Sequence, residues 1–274
     1  MPGKLYVVGT PIGNLGDFSP RAIETLKEVD FLAVEDTRVT VKLLNHFDIK
    51  KEMLAYYEHN KASRGNLILE RLLAGQTCAV VSDAGMPAIS DPGEDLVRLC
   101  HQNGIAVESV PGPSAITTAL AISGMPTGRF CFEGFLTTQK NGRRVHLEEL
   151  KTEKRTMVFY EAPHKLLATL SDMLAVFGER DIAIVRELTK LHETVFHTNF
   201  TDAIEHYTQN PPRGEFVLII SGAKEVQKEY TLEDALSIAK KLVDEGQSTS
   251  FAAKEAANIT GLKKGDVYKS LLAL

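Results

Sequence analysis

The segment LYVVGTPIGNLGDFSPRA (residues 5–22) predicts an apolar strand, a loop rich in glycine and proline, and then a helix. Glycine-rich loops after a first strand often bind phosphate, through G-x-G-x-x-G opening directly into a helix or through a loop ending in Gly-Lys-Ser/Thr. Here Pro11 stands where a second glycine belongs, the loop has no lysine, and the helix starts only at Ser19-Pro20. We therefore do not predict a phosphate site, and an ordinary turn or a loop that lines another ligand both remain open.

The bulk composition indicates a globular protein with two medium domains. The chain has 274 residues, of which 43% are hydrophobic and 24% are charged. No apolar run approaches the roughly 20 residues that cross a bilayer, and the apolar start predicts a strand, so we expect no membrane association. The three cysteines are widely spaced, which favours the cytoplasm and suggests neither disulfides nor a zinc site. The net charge of −5 argues against nonspecific coating of nucleic acid.

The first half of the chain alternates short apolar runs with helical patterns. β-Branched and aromatic residues predict strands at Leu5–Gly9, Phe31–Glu35, Thr77–Ser82 and Ile105–Val110. Apolar residues at helical spacing predict helices at Pro20–Val29, Val39–His46, Arg64–Ala74 and Glu94–Asn103, with Ser63 as the N-cap of the third. This alternation is typical of an α/β domain with a mostly parallel sheet and helices on both faces.

Beyond SGMPTGRF (123–130), a stretch of turn-forming residues, the pattern changes to a mixed α+β domain. Strands are predicted at Phe130–Gly134, Thr156–Tyr160, Asp181–Leu188, Glu193–Thr198 and Glu215–Ser221, and helices at Pro163–Phe177 and Thr201–Gln209. From Thr231 onward the sequence is helical and opens with a capping box. We predict an N-terminal α/β domain at 1–123, a second mixed domain at 124–226 and a helical C-terminal segment at 227–274.

Three strands of the first domain end in loops dense in glycine and proline: GTPIGNLGD (9–17), SDAGMPAISDPG (82–93) and PGPSA (111–115). Ligands of open α/β sheets bind beyond the carboxyl ends of the strands, where such loops let a ligand approach the backbone. The loops offer carboxylates, a serine hydroxyl and exposed backbone, but no lysine. A ligand with an amine, ribose hydroxyls and a cationic centre suits this inventory better than a polyphosphate.

Seven motifs together resemble the signatures of the ribosomal RNA small subunit methyltransferase I family, within the tetrapyrrole methylase superfamily. They are GTPIGNLGD, AVEDTR (33–38), SDAGMPAISDPG, VPGPSA, FEGFL (132–136), FYEAPHKL (159–166) and RELTKLHE (186–193). The resemblance implies two α/β domains with an S-adenosylmethionine cleft between them, a small helical C-terminal module, and a homodimer. It also implies 2′-O-methylation of a cytidine in 16S ribosomal RNA. The histidines do not show the spacing of a metal site, so we expect no metal.

The motifs also supply candidate catalytic residues. Asp36 and Arg38 follow the second strand and either face the substrate or form a local helix cap and ion pair. Glu161 precedes a predicted helix, where an acidic residue is ordinary, so the family resemblance alone suggests a catalytic role for it. Lys190 lies in a run of alternating charge that fits either catalysis or a solvated strand end. The sequence does not identify the base that accepts the proton of the ribose hydroxyl.

Candidate cofactor residues come from the loops and from the second domain. Asp83 follows a buried strand, where its carboxylate can accept hydrogen bonds from an ammonium or ribose group. Ser114 either donates to the cofactor or caps the next helix. The expected pocket walls and apolar contacts to adenine are Pro11, Gly85, Met86, Ile89, Ala162 and Leu188.

Two basic stretches are candidate RNA contacts despite the acidic total. KNGRRVHLEELKTEKR (140–155) contains Arg143 and Arg144, and the C-terminal segment contains Lys263 and Lys264. An RNA enzyme needs phosphate contacts outside its cleft, although a charged run is also typical of a solvated helix face.

Two other functions remain open at this stage. One is a related methyl transfer to a tetrapyrrole or a protein. The other is regulation through DNA, because residues 250–272 have helix–turn–helix rhythm with Gly261 in the turn.

Overall fold

The computed structural model describes residues 2–224 and 230–273, and the chain divides into two compact units, Met1–Ala223 and Lys224–Leu274. The first half of the first unit is a parallel five-stranded sheet in the order β3-β2-β4-β1-β5. Its strands are β1 Lys4–Val8, β2 Phe31–Val34, β3 Glu52–Ala55, β4 Cys78–Val81 and β5 Ala106–Val110. The mostly parallel α/β arrangement that the alternation predicts is therefore confirmed, with β3 as an additional edge strand.

Helices follow each strand of this sheet: α1 Pro20–Glu28, α2 Thr37–His46, α3 Lys61–Leu73, α4 Glu94–Gln102 and α5 Ala115–Ile122. The predicted start of α1 is confirmed, since the Ser19 side chain accepts from the Ala22 amide and Pro20 takes the first helical position. The predicted N-cap at Ser63 is wrong, because α3 begins two residues earlier and Ser63 lies inside it.

The second half of the unit is a mixed sheet in the order β6-β7-β10-β8-β9, with β10 antiparallel to both of its neighbours. Its elements are β6 Phe130–Phe135, α6 Lys140–Glu149, β7 Thr156–Glu161, α7 Leu166–Phe177, β8 Asp181–Arg186, β9 Thr194–Asn199, α8 Phe200–Gln209 and β10 Phe216–Ile220. Because β10 runs opposite to β7 and β8, its first residues lie at the same edge as the carboxyl ends of those strands.

A shared hydrophobic core joins the two sheets. Ile12 of the first loop and Ile116 and Leu120 of α5 pack against Val185 of β8 and Val217 of β10. The contacts place the loops after β1 and β5 directly against one face of the second sheet. The boundary predicted after residue 123 falls in the connection between α5 and β6 and stays a prediction.

The second unit is a separate three-helix cluster, with α9 Leu232–Asp244, α10 Thr249–Thr260 and α11 Lys264–Leu272. The predicted capping box is confirmed: the Thr231 side chain accepts from the Asp234 amide, and the Asp234 carboxylate accepts from the Thr231 amide. Small residues of α9 and α10, including Ala239 and Ala256, form its core with Val267. The boundary predicted between residues 226 and 227 lies outside the described residues.

Candidate active site

A pocket of about 390 Å³ lies between the carboxyl ends of the strands of the two sheets of the first unit. The first sheet contributes the loops after β1, β4 and β5, and the second contributes the ends of β6, β7 and β8 with the start of β10. The walls are mainly apolar, with Met86 and Ile116 on one side and Phe135, Tyr160 and Phe216 on the other. Its size and lining are typical of a site for a small organic ligand.

Backbone contacts hold the three glycine-rich loops together at the pocket. A Cβ at Gly112 would lie 2.8 Å from backbone atoms of Gly9, so the first and third loops touch main chain to main chain. Thr10 and Gly85 exchange two backbone hydrogen bonds, of 2.9 and 3.1 Å, which tie the first loop to the second. The glycines therefore serve close packing between loops, which explains why they do not follow a phosphate-binding pattern.

Four of the five non-glycine residues with positive φ in the described chain lie in loops at this pocket. Ala88 and Ser90 adopt φ of 67° and 65° in the second loop, and Glu187 and Thr189 adopt 53° and 64° after β8. Such left-handed backbone is unfavourable for residues with a Cβ and persists where the surroundings impose it. The concentration of strained backbone marks the pocket as a functional site.

Acidic side chains converge beside the pocket from the ends of β2 and β4. The Asp83 carboxylate accepts from the Asp36 amide (3.2 Å), and the Glu35 carboxylate accepts from the Asp83 amide (3.4 Å). Burial raises the pKa of both Glu35 and Asp83. Asp91 lines the pocket, and burial together with the negative charge of Glu35 raises its pKa to about 6. This corner therefore has a strongly negative potential.

Asp36 and Arg38 form the local cap and ion pair that the sequence left as one of two possibilities. The Asp36 carboxylate accepts from the Arg38 backbone amide at 2.8 Å and from its guanidinium at 2.6–3.1 Å. The guanidinium hydrogen bonds lower the pKa of Asp36 to about 2. The Arg38 side chain is 87% exposed and does not line the pocket. The pair thus stands on open surface, and its substrate contact remains a prediction.

Glu161 and Lys190 are both held by partners. Glu161 lines the pocket and is buried; its carboxylate accepts from the Thr169 hydroxyl at 2.5 Å and lies 3.4 Å from the Lys165 ammonium. Lys190 donates to Glu187 at 3.0 Å and to Glu215 at 2.9 Å. Burial acts to lower the pKa of Lys190, but these two carboxylates outweigh it and raise that pKa. These contacts hold the Lys190 ammonium against Glu215, which lines the pocket, and the catalytic role of Lys190 stays a prediction.

The pocket brings together six of the eight predicted cofactor residues. They are Gly85, Met86, Ile89, Ser114, Ala162 and Leu188. The side chain of Ser114 makes no cap hydrogen bond to α5, which leaves its hydroxyl to the pocket. Pro11 is not part of the lining; its neighbour Ile12 is, because the loop turns the isoleucine toward the second sheet. Asp83 also lies outside the lining; its carboxylate accepts from the Asp36 amide and so links the segments after β2 and β4, and its cofactor contact stays a prediction.

Several lining residues escaped the sequence prediction. Their signal was weak, since most are apolar residues of strands, loops and α5 that resemble ordinary core; they are Ile12, Ala84, Ser90, Asp91, Ala115, Ile116, Phe135, Tyr160, Pro163, Val185, Glu215, Phe216 and Val217. Asp91 was visible as a carboxylate in the second loop, but only the folded loop shows that it faces the pocket while Asp83 does not.

The predicted RNA contact at Arg143 needs correction. Its guanidinium is buried and donates to the Asp172 carboxylate of α7 at 2.6 and 2.8 Å, so no phosphate can reach it. Arg144 donates to the other oxygen of Asp172 at 3.2 Å, and its side chain remains half exposed. Lys263 and Lys264 are exposed in the second unit, at the start of α11.

Comparison with known proteins identifies the family. Residues 4–204 match the family model of the tetrapyrrole (corrin/porphyrin) methylases. The chain belongs to this family. Among curated relatives, this tetrapyrrole methylase is 46% identical over 274 residues to ribosomal RNA small subunit methyltransferase I of Synechocystis sp., covering 99% of this chain and 98% of the relative. The relationship indicated by the seven motifs is confirmed.

A second curated relative matches a shorter part of this chain. Ribosomal RNA small subunit methyltransferase I of Thermotoga maritima is 51% identical over 220 residues, covering 80% of this chain and 99% of the relative. That share of the chain is close to the share taken up by the first unit of this tetrapyrrole methylase.

The solved structures confirm the predicted fold class. Uroporphyrin-III C-methyl transferase of Thermus thermophilus, complexed with S-adenosylhomocysteine, superposes with a TM-score of 0.56 at 19% identity, covering 80% of this chain and 97% of that chain. This tetrapyrrole methylase has the two-sheet α/β architecture of that structure, with helices at its C-terminal end.

No group of three or more His, Cys, Asp or Glu side chains within residues 2–224 and 230–273 is arranged to hold a metal ion. In the same part of the chain, no helix combines the length and apolarity needed to cross a membrane.

Proposed function

We propose that this protein transfers a methyl group from S-adenosylmethionine to a ribose 2′-hydroxyl of a cytidine in 16S ribosomal RNA. The observation that carries the proposal is the apolar pocket between the two sheets, assembled from the loops after β1, β4 and β5. Its relatives named ribosomal RNA small subunit methyltransferase I support ribosomal RNA as the substrate class.

The pocket fits the cofactor in size and chemistry. A volume of about 390 Å³ accommodates a ligand of nucleoside size, and the apolar walls suit an adenine ring. Ser114 supplies a hydroxyl, the Ala84–Met86 backbone allows close approach, and Asp91 supplies negative charge. When bound, S-adenosylmethionine provides a methyl group already activated on a sulfonium. The chain's own task is therefore to bind and orient, which contributes about 7–11 kcal/mol in well-oriented reactions.

The surface beside the pocket suits the RNA substrate. Asp36 fixes the Arg38 guanidinium at an exposed position next to the acidic corner, where it can bind a phosphate flanking the target ribose. The carboxylates of Glu35, Asp83 and Asp91 lie beside this position and are candidate acceptors for the hydroxyl proton. A general base contributes typically about 10²–10⁴-fold, so orientation remains the larger effect.

The assembly and location are also proposals. The family resemblance of the seven motifs supports a homodimer. A ribosomal RNA substrate supports a cytoplasmic location, as do the reduced thiols of Cys78, Cys100 and Cys131.

A methyl-transfer assay with labelled S-adenosylmethionine tests the function. We expect incorporation into 16S RNA of small subunits from a strain lacking the endogenous enzyme, at the 2′-oxygen of a cytidine. Arg38→Ala should lower turnover at least tenfold and leave cofactor affinity unchanged, because Arg38 lies outside the pocket. Labelling of a tetrapyrrole or a protein in place of RNA would contradict the proposal.

A further inference from the structure

Three carboxylates line the pocket, and they differ in how their charge is compensated. Glu161 lies 3.4 Å from the Lys165 ammonium and accepts two further hydrogen bonds. Glu215 lies 2.9 Å from the Lys190 ammonium. For Asp91, no lysine, arginine or histidine of the described residues forms an ion pair with its carboxylate. Asp91 is thus the pocket carboxylate whose charge has no positive partner.

The surroundings of Asp91 make its negative charge unfavourable in the empty pocket. Glu35 and Asp83 face it from the ends of β2 and β4, and both are acidic. Tyr160 of β7 faces it from the second sheet, and the Ser82 hydroxyl, which donates to the Gly85 carbonyl at 3.4 Å, lies nearby. The pocket around it is apolar. Burial with two like charges is the environment in which an added cation is most strongly attracted.

The loop holds Asp91 in this unfavourable place. Ala88 and Ser90, which precede it, both have left-handed backbone. A Cβ at Gly93 would lie 3.0–3.2 Å from Ala88, so the loop closes tightly on both sides of Asp91. Strain kept around a single uncompensated carboxylate indicates a binding role for it.

We propose that Asp91 recognises the positive sulfonium of S-adenosylmethionine and so makes the pocket prefer the methylated cofactor over S-adenosylhomocysteine, whose sulfur is neutral. This inference rests on the proposed function. The two ligands share adenosine, ammonium and carboxylate groups and differ in the methyl group and its positive charge on sulfur. The part of the preference that is lost in Asp91→Asn therefore measures the recognition of that charge. After methyl transfer the attraction disappears, which favours exchange of the spent cofactor.

The inference carries a definite dependence on pH. The pKa of Asp91 is about 6 in the free protein, and a bound cation lowers it. The affinity for S-adenosylmethionine therefore rises with pH up to about 6 and is flat above it, and binding near pH 6 releases a proton. The affinity for S-adenosylhomocysteine should not depend on pH through Asp91, because its sulfur carries no charge.

Calorimetric titration of the full-length protein with each ligand, from pH 5 to 8 and in buffers of different ionisation heat, tests the inference. Asp91→Asn should weaken S-adenosylmethionine about tenfold at pH 7.5, leave S-adenosylhomocysteine within twofold, and abolish proton release. Asp91→Glu should retain part of the preference. Asp244→Asn removes a carboxylate from an exposed position on α9 and should behave as wild type.

The results distinguish a failure of the proposed methyltransferase function from a failure of the proposed role of Asp91. Failure of the wild-type protein to bind either ligand would overturn the proposed function. Binding of both ligands with an affinity ratio that is unaffected by Asp91→Asn, or equal proton release with both, would overturn the role of Asp91 alone.

Discussion

Arg143, which the sequence places in a basic run, is buried in the structure against Asp172. In the sequence, Arg143 belongs to a basic run; in the structure it turns from α6 onto α7, where both side chains are 8% exposed. Burial acts to raise the pKa of Asp172, but the hydrogen bonds from Arg143 and Arg144 outweigh it and lower that pKa. The neighbouring Arg144 is the one that keeps an exposed face.

We expect Arg143→Ala to destabilise the protein by about 3–5 kcal/mol, because it leaves the Asp172 carboxylate buried without its main partner. Arg144→Ala should cost less than about 1 kcal/mol, since that ion pair is half exposed. Urea unfolding at pH 7 measures both. The difference in unfolding free energy between the wild type and Arg143→Ala should be fully present above the ordinary pKa of Asp172, 3.8. It should be lost as the pH falls below that value.

Arg144→Ala should weaken RNA binding more than Arg143→Ala does, although it destabilises the fold less. Arg144→Ala is expected to weaken binding and to reduce the salt-dependence slope by roughly 0.7–0.9, the contribution of one phosphate contact. If the folded Arg144→Ala protein binds RNA as tightly as the wild type across a salt titration, Arg144 does not contact the RNA.

The active-site loops are the element on which the pocket depends. The first loop contacts the other two through backbone atoms, and it also meets the segment after β8, since a Cβ at Gly13 would lie 2.7 Å from Lys190 Cγ. The loops therefore form one packed layer. Glycine is needed at Gly9, Gly13 and Gly112 because a Cβ there would lie less than 3 Å from atoms of a neighbouring loop.

Gly112→Ala should separate the first and third loops, because the added methyl would lie 2.8 Å from backbone atoms of Gly9, which cannot turn away. We expect a loss of about 1–3 kcal/mol in unfolding free energy, together with weaker cofactor binding. Thermal unfolding and calorimetry measure the two effects. Gly128→Ala is the matched control, since a Cβ there meets no atom within 4 Å. Equal behaviour of the two variants would show that the contact between loops is not required.

At the scale of the molecule, the chain divides into two compact units, and the candidate site lies in the first. The pocket and its strained loops belong wholly to the first unit, and the curated relative of Thermotoga maritima matches only 80% of this chain. The second unit has its own small core and presents Lys263 and Lys264 at the start of α11. We propose that this unit contacts the RNA substrate outside the pocket, through its exposed lysines.

Deletion of residues 230–274 should leave cofactor affinity within twofold and weaken binding to small ribosomal subunits several-fold. Cofactor affinity should be retained because none of the described residues of that segment lines the pocket. Calorimetry with S-adenosylmethionine and a filter-binding assay at several salt concentrations provide the two measurements. A truncated protein that unfolds, as judged by circular dichroism, or that binds subunits as tightly as the full chain would contradict this division.

Much of the fold was predictable because its causes are local. The apolar strands, the alternation with helices, the Ser19 cap and the Thr231 capping box follow from neighbouring residues, and each is confirmed. The edge strand β3 was missed because its four residues, Glu-Met-Leu-Ala, include no β-branched or aromatic residue. The glycine and proline content of the loops also indicated the ligand-binding edge of the first sheet.

What the sequence by itself determined is therefore the order of the elements apart from β3, the family and the edge of the first sheet that carries the site. Only the tertiary structure decided which charged groups do what, because this depends on neighbours distant in the chain. Asp83 and Asp91 lie in one loop, yet one joins loops and the other faces the pocket. Arg143 and Arg144 are adjacent, yet one is buried against a helix 29 residues away. Burial and charge compensation arise from packing, and packing is not a property of local sequence.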